Sequence, residues 1–294
     1  MNPLRNLHLL PRLWPMLRRH PQLALLAVLL LLGWYAAELY YLRPQLSYLG
    51  TPQATTLHPA TWSRTLRNDG FLLGYSDLRS NPLWVSYKLT PVAKDAKRLK
   101  RPQRFKRDWR TLTMVGHDDY RGSGFDRGHL APNYAISRLY GRGAQLDTFL
   151  MSNITPQRPK LNQKLWQRLE EIEVDVFARR FGSLWVTTGP IFDGKIERMK
   201  SAMRVEIPDA FYKLYAAPPK KTGDAPQLLA FIIPQGVKGT EALDRFVVSV
   251  DEVEQRTGLD FFHILDDQQE QQLEAKQGGS SWRLKEVANR PGRY

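Results

Sequence analysis

Apolar residues run almost without interruption from residue 23 to 42 (LALLAVLLLLGWYAAELYYL), with Glu38 as the one charge. A run of that length predicts a helix able to cross about 30 Å of hydrocarbon. Residues 43–63 are rich in proline, threonine and leucine without a helical period, and read as a linker. Short β-like runs follow at 71–75, 83–89, 148–151, 184–188, 210–216 and 228–233, with turn residues between them. Helical periodicity falls at 163–179, 240–248 and 267–275. Strands and helices interleave irregularly and no internal repeat is visible, so the pattern predicts one α+β domain rather than a doubly wound sheet. The chain accordingly divides into a basic segment 1–22, a membrane anchor 23–42, the linker, a main domain 64–280 and a loosely held tail 281–294.

Charge gives the anchor a direction. Arg5, Arg12, Arg18 and Arg19 precede the apolar run and no acidic residue occurs before Glu38, which predicts a cytoplasmic N-terminus and a main domain outside. A single-pass protein of a bacterial inner membrane fits this pattern, with the mitochondrial inner membrane as the alternative. A cleavable signal peptide competes with the anchor, although Tyr35 and Glu38 make a poor cleavage context around Ala36 and Ala37. A mitochondrial presequence is a weaker fit, because the N-terminus contains no serine and is rich in leucine and proline.

With 294 residues, 42% of them hydrophobic, the chain can build a genuine core. It has no cysteine, which excludes disulfides, thiolate metal sites and a cysteine nucleophile. Any metal must therefore sit on oxygen or imidazole. Five arginines against one glutamate before Pro44 leave +10 of the net charge of +14 on the remainder. That excess favours a polyanionic partner, since each neutralised phosphate releases condensed counterions. Much of it lies between Lys88 and Arg110, where ten basic residues face Asp95 and Asp108. A solvated face is the ordinary explanation of such a run, but this one leads directly into a motif.

From Tyr120 the chain reads YRGSGFDRGHLAPN, and from Thr148 it reads TFLMSNITPQRPKLNQKLWQRLEE. These blocks closely resemble the non-specific DNA/RNA endonuclease family, the ββα-metal nucleases that include secreted bacterial nucleases and endonuclease G. Asp126-Arg127-Gly128-His129 matches the DRGH signature, and Asn153, Asn162, Trp166 and Glu170 fall in register with the second block. Weaker echoes extend from GYSDLRSNPLWVSY at Gly74 through VTTGPIF at Val186 and PDAFYK at Pro208 to TGLDFFHIL at Thr257. The resemblance implies a ββα-metal fold with a central, mainly antiparallel sheet, and hydrolysis of DNA and RNA to products carrying 5′-phosphates. It leaves a homodimer open.

Phosphodiester hydrolysis needs an activated water, a screen for charge growing on the phosphate, and help for the departing alkoxide. A histidine with an ordinary pKa near ~6.5 is largely neutral at physiological pH and can take the water's proton. General-base action supplies only about 10²–10⁴-fold, so electrostatic stabilisation by a metal and an arginine is expected nearby. The resemblance implies His129 as that base and Asn162 as the direct ligand of one Mg²⁺, with Mn²⁺ as an alternative. Asn162 is a hard and neutral oxygen donor, which leaves the ion's charge for the phosphate. On an ideal helix Asn162 and Glu170 lie about 80° apart and can face one site. Glu170 then resembles the group orienting a water on the ion, Asn153 a supporting polar residue, and Arg101 the phosphate clamp. Arg98, Arg104 and Arg107 compete with Arg101 by proximity.

His8, His20, His58, His117 and His263 are expected to be structural, and Trp166 to pack in the core. Asp126 and Arg127 are expected to hold their loop together. One departure stands out at Val174, where many relatives carry a second arginine. Arg158 and Arg168 are the substitutes in reach by sequence. Two rivals remain at this stage, a catalytically inactive membrane-tethered nucleic-acid-binding protein of the same fold, and a structural protein whose basic face meets anionic lipid. The second gives no reason for DRGH.

Overall fold

The computed structural model describes residues 20–93, 95–221 and 223–292. The arginines of the N-terminal segment up to Arg19, and Lys94 of the basic cluster, lie outside the described residues. The chain divides at Pro44/Gln45 into two units. In the first, helix α1 (Pro21–Ala37) opens with proline in its first turn, where the missing N–H costs nothing, and none of its residues is buried. The helical run continues through a wide turn at Glu38–Leu42 to Leu46, giving 26 residues, long and apolar enough to cross a membrane.

The second unit is built on a seven-stranded antiparallel sheet. Strands β1 (Arg64–Asn68), β2 (Phe71–Ser76) and β3 (Asn81–Leu89) form a meander. Between it and the rest of the sheet the chain makes strand β4 (Asp126–His129), helix α2 (Asn133–Thr148) and strand β5 (Ile154–Gln157). A helical run α3 follows from residue 161 to 181. The sheet then resumes with β6 (Leu184–Ile191), β7 (Ala210–Ala217), β8 (Gln227–Pro234) and β9 (Val247–Val248). Its spatial order is β9-β8-β7-β6-β3-β2-β1. Helices α4 (Val250–Thr257) and α5 (Asp267–Glu274) close the unit.

Both faces of this sheet are covered, and the strand sequences show why. Along β7, Phe211, Tyr215 and Ala217 enter the core beneath α2 and α3, while Tyr212, Leu214 and Ala216 enter the core beneath α4. Strand β8 repeats the alternation, with Leu229, Phe231 and Ile233 on one side and Leu228, Ala230 and Ile232 on the other. Period-two side chains buried on both faces make near-continuous apolar runs, which is why these strands were legible by composition.

Three expectations are corrected. Residues 148–151 are not a strand, since Thr148 ends α2 and a tight turn spans Met151–Asn153. The strand is Ile154–Gln157, displaced by the turn that the buried Asn153 amide holds. Residues 240–248 are not a helix but a short 3-10 turn at Leu243–Phe246 leading into β9, whose pairing with β8 overrides the local pattern. The described part of the tail, residues 281–292, is packed on the domain. Trp282 is fully buried against Phe177, Phe181 and Tyr215, and the Leu243 N–H donates to the Ala288 carbonyl. A single indole buries enough apolar area to outweigh the glycines and serines before it.

Candidate active site

Strands β4 and β5, joined through α2, form a two-stranded antiparallel sheet that pairs Asp126 with Gln157 and His129 with Ile154, and α3 follows directly. Gly128 packs so closely on the buried Gln157 side chain that a Cβ would meet it at 2.2 Å, so the motif's glycine makes room for that side chain. Immediately after His129, the buried Asn153 amide accepts from the Ala131 N–H at 2.9 Å and donates to the Ala131 and Thr148 carbonyls at 3.0 Å. The segment carrying His129 is thus locked on both of its backbone polar groups.

His129, Arg101, Asn162 and Glu170 line one cleft of about 490 Å³, together with Arg127, Asn133, Tyr134, Gln163 and Gln167. Asn153 is apart from them, fully buried behind the histidine loop with its amide engaged on backbone. Its contacts hold the backbone two residues after His129.

The imidazole of His129 is 9% exposed and sits between Phe105 and Phe149, with ring centroids 5.2 and 5.0 Å away. Its Nε2 is buried without a hydrogen-bond partner among the described residues. Burial, and secondarily the Arg101 charge, push the imidazole pKa down to about 3, so the ring is neutral across the physiological range. The Arg101 guanidinium lies over the other aromatic wall, 5.1 Å from the Phe149 centroid. Its loop is sewn to the end of α2 by the Lys106 N–H to the Phe149 carbonyl and the Met151 N–H to the Lys106 carbonyl, both at 2.9 Å.

On α3, the Asn162 Nδ2 donates to Asp126 Oδ2 at 2.9 Å, and Gln163 Nε2 donates to the same oxygen at 2.8 Å. Asn162 Oδ1 is therefore the end of the amide left for a ligand. Glu170 is half-buried, and burial raises its carboxyl to about 8, with Glu173 adding to the rise and Lys213 and Arg101 opposing it. A carboxylate under that penalty and a neutral amide oxygen are the hard donors that a small divalent cation takes. The residues present fit such an ion.

Beneath Glu170 lies a network that sequence reasoning missed. Glu173 accepts from Tyr87 at 2.8 Å, Tyr215 at 3.0 Å and the Lys213 ammonium at 3.0 Å, all fully buried. The PDAFYK echo contained Lys213, but nothing in its spacing told that strand β7 would turn this lysine inward. Gln163 and Gln167 were more accessible to inference, being one and five residues after Asn162 on one helix. Trp166 is buried in the core, with the Lys213 ammonium 4.7 Å from its ring centroid.

The basic cluster separates by role. Arg101 opens on the cleft, whereas Arg104 pairs with Asp118 at the surface and Arg110 is bound to Asp108 and Asn68. Val174 is buried in the core. Of its two substitutes, Arg168 is spent on the Glu241 and Arg290 carbonyls and Arg158 leans on Phe125, and neither lines the cleft. Arg127 does, while donating to the His117 carbonyl at 2.7 Å.

A two-stranded antiparallel sheet carrying histidine, followed by a helix carrying asparagine and glutamate beside one cleft, defines the ββα-metal nuclease class. The sequence profile of the DNA/RNA non-specific endonucleases matches residues 53–268, and the chain belongs to that family. It is 31% identical to mitochondrial endonuclease G of Homo sapiens over 205 residues, which span 66% of this chain and 67% of that one. It is 30% identical to the nuclease of Serratia marcescens over 203 residues, 66% and 73% of the two chains. Among solved structures, an endonuclease G complexed with its inhibitor EndoGI superposes with a TM-score of 0.63 at 25% identity, over 77% of this chain and 93% of that one. The family is metal-dependent, and its substrates are nucleic acids.

Proposed function

We propose that this enzyme cleaves DNA and RNA with little sequence preference, using His129 as general base and one Mg²⁺ held by Asn162. The observation that carries the reading is His129 Nε2, buried, neutral and unpartnered in a cleft shared with Arg101, Asn162 and Glu170. An inactive nucleic-acid-binding protein would need the basic surface but not an orphaned imidazole nitrogen, whose desolvation is a standing cost.

A water in the cleft gives its proton to the neutral imidazole of His129 as it attacks phosphorus. The Arg101 guanidinium offers two parallel donors to the phosphoryl oxygens, in a geometry lysine cannot reproduce. The Phe149 ring sets where those donors can lie. When bound, the divalent ion supplies positive charge against the charge developing on phosphate and leaving oxygen. Glu170 orients the water that protonates the leaving O3′. Asp126 holds Asn162 in the orientation that presents Oδ1.

The apolar helix is read as an uncleaved anchor, with the nuclease domain on the periplasmic or outer side and the arginine-rich terminus inside. That places a hazardous activity away from the cell's own nucleic acid. Incubating the purified protein with plasmid or RNA in Mg²⁺ and in EDTA tests the reaction. Cleavage is expected only with the ion, and His129→Ala is expected to abolish it while leaving DNA binding in EDTA intact. A His129→Ala protein that cut as fast as the parent would refute the assignment.

A further inference from the structure

Helices α4 and α5 bring three carboxylates together on the side of the sheet that faces away from α2 and α3. Asp251 and Glu254 are three residues apart on α4 and so share a helix face, and Glu274 ends α5. One carboxylate oxygen from each lies within 4.8 Å of the other two. Exposure is graded across the group, from exposed Asp251 through half-buried Glu254 to Glu274, which is 3% exposed.

Glu274 is what distinguishes this group from an ordinary acidic surface. Its Oε1 is buried without a hydrogen-bond partner among the described residues. The charges that act on it belong to Glu254, Glu270, Asp251 and Asp260, all of them acidic. Glu254 is held in place by the Phe261 N–H, which donates to Oε1 at 2.8 Å. A buried carboxylate without a basic partner is tolerated only if it is protonated or binds a cation.

We infer that Asp251, Glu254 and Glu274 form a structural site for a hard divalent cation, calcium, separate from the nuclease cleft. Three carboxylate oxygens are the donor set such an ion prefers. Calcium takes ligands at about 2.3–2.6 Å, so oxygens on opposite sides of it stand up to roughly 5 Å apart. Magnesium, at about 2.0–2.1 Å, demands a near-ideal octahedral shell and gives up its waters reluctantly, which suits a three-carboxylate protein site less well. Exposed Asp251 leaves one side open to water, which calcium's flexible coordination accommodates. The bound ion would tie α4 to the end of α5, replacing mutual repulsion with a shared ligand. Burial and then the neighbouring carboxylates raise Glu274 to about 9, and burial raises Glu254 to about 7, a penalty that a cation relieves.

The competing account is a proton shared between Glu254 and Glu274. Calcium binding to the full-length protein in detergent, by calorimetry and by thermal unfolding in CaCl₂ against EGTA, separates the two. The measurement is made in an Asn162→Ala background, so that ion binding in the cleft is reduced. The expected result is one calcium per chain and a raised melting temperature, both lost in Glu274→Gln, with affinity at least about tenfold weaker in Asp251→Asn, as second carboxylates matter to such sites. No calcium-dependent shift in the parent, with Glu274→Gln melting higher than the parent in EGTA, would establish the shared proton and overturn the site. Calcium binding unchanged in Glu274→Gln and Asp251→Asn would overturn it as well. If Glu274→Gln fails to fold, Asp251→Asn at the exposed edge decides alone.

Discussion

Asp126 Oδ2 accepts the Asn162 amide at 2.9 Å across the junction of β4 and α3, so the first residue of DRGH fixes which end of the asparagine meets the cleft. Gln163 shares the same oxygen at 2.8 Å. Partners that orient a metal ligand typically matter by about 10–100-fold in affinity. Asp126→Ala is therefore expected to raise the Mg²⁺ concentration for half-maximal cleavage by that factor, with turnover largely restored at saturating ion. An unchanged metal requirement would show that Asn162 is oriented without it.

Phe149 is the wall common to His129 and Arg101, 5.0 Å from the imidazole and 5.1 Å from the guanidinium. It buries one side of the imidazole, whose pKa is pushed down to about 3 from an ordinary 6.5. A depressed value means that the neutral, active form persists down to acid pH. Phe149→Ala hydrates the ring and lets the value climb toward 6.5, so neutral imidazole is lost as pH falls through the new value. The kcat profile should gain an acid limb between roughly pH 5.5 and 8. A constant ratio of variant to parent over that range would remove Phe149 from the account.

Lysine substitutions separate Arg101 from its neighbours. Arg101→Lys keeps the charge but loses the paired donors that matter most as charge builds in the transition state. Single-turnover cleavage at saturating enzyme should drop by about 10²-fold, in the range seen when one fixed donor is removed. Arg104→Lys, altering a surface pair with Asp118, should affect chiefly binding. Full activity in Arg101→Lys with a large loss in Arg104→Lys or Arg107→Lys would move the clamp.

Under the proposed assignment, ion binding at Glu170 depends on pH. The Glu170 carboxyl, raised to about 8 mainly by burial, is expected to hold a proton at neutral pH in EDTA and to release it when the ion binds. Metal affinity should rise with pH until about 8 and level off above. Because the folded value exceeds the ordinary 4.5, the group's contribution to stability is full below that value and is lost as pH rises through about 8. In EDTA the parent should therefore lose melting temperature relative to Glu170→Gln across this window. Calorimetry in buffers of different ionisation enthalpy would read the expelled proton directly, and its absence would mean that Glu170 is already ionised.

The sheet and the cleft were legible to different degrees, and for physical reasons. Strands β7 and β8 bury both faces, so their composition announced them. Strand β4 and helix α2 did not, because DRGH is polar where it pairs and α2 breaks its helical backbone at Gly141, with φ at +84°. His129, Asn162, Glu170 and Arg101 could be brought together by family register, and the cleft unites them. The burial of Asn153 behind the histidine loop was not legible, because its three backbone contacts are encoded by no spacing. The tail was misread because one buried indole, Trp282, outweighs a segment's polar average.

Lys213 and Glu173 join the sheet to α3 through a 3.0 Å ion pair with neither side chain exposed. Tyr87 and Tyr215 hydrogen-bond the same carboxylate, so each of its oxygens is satisfied. Such a pair contributes little net stability over a well-packed apolar replacement, because desolvation offsets the attraction. Removing one partner, however, strands a charge. Lys213→Met should cost about 3–5 kcal/mol, read as a lower urea midpoint with an unchanged slope. Glu173→Gln in the same chain should recover part of the loss, since a neutral amide no longer needs the ammonium. Because Glu173 lies three residues from Glu170 on α3, Lys213→Met should also lower kcat more than it raises KM. A Lys213→Met protein as stable as the parent would mean that the two tyrosines alone suffice to hold the buried carboxylate.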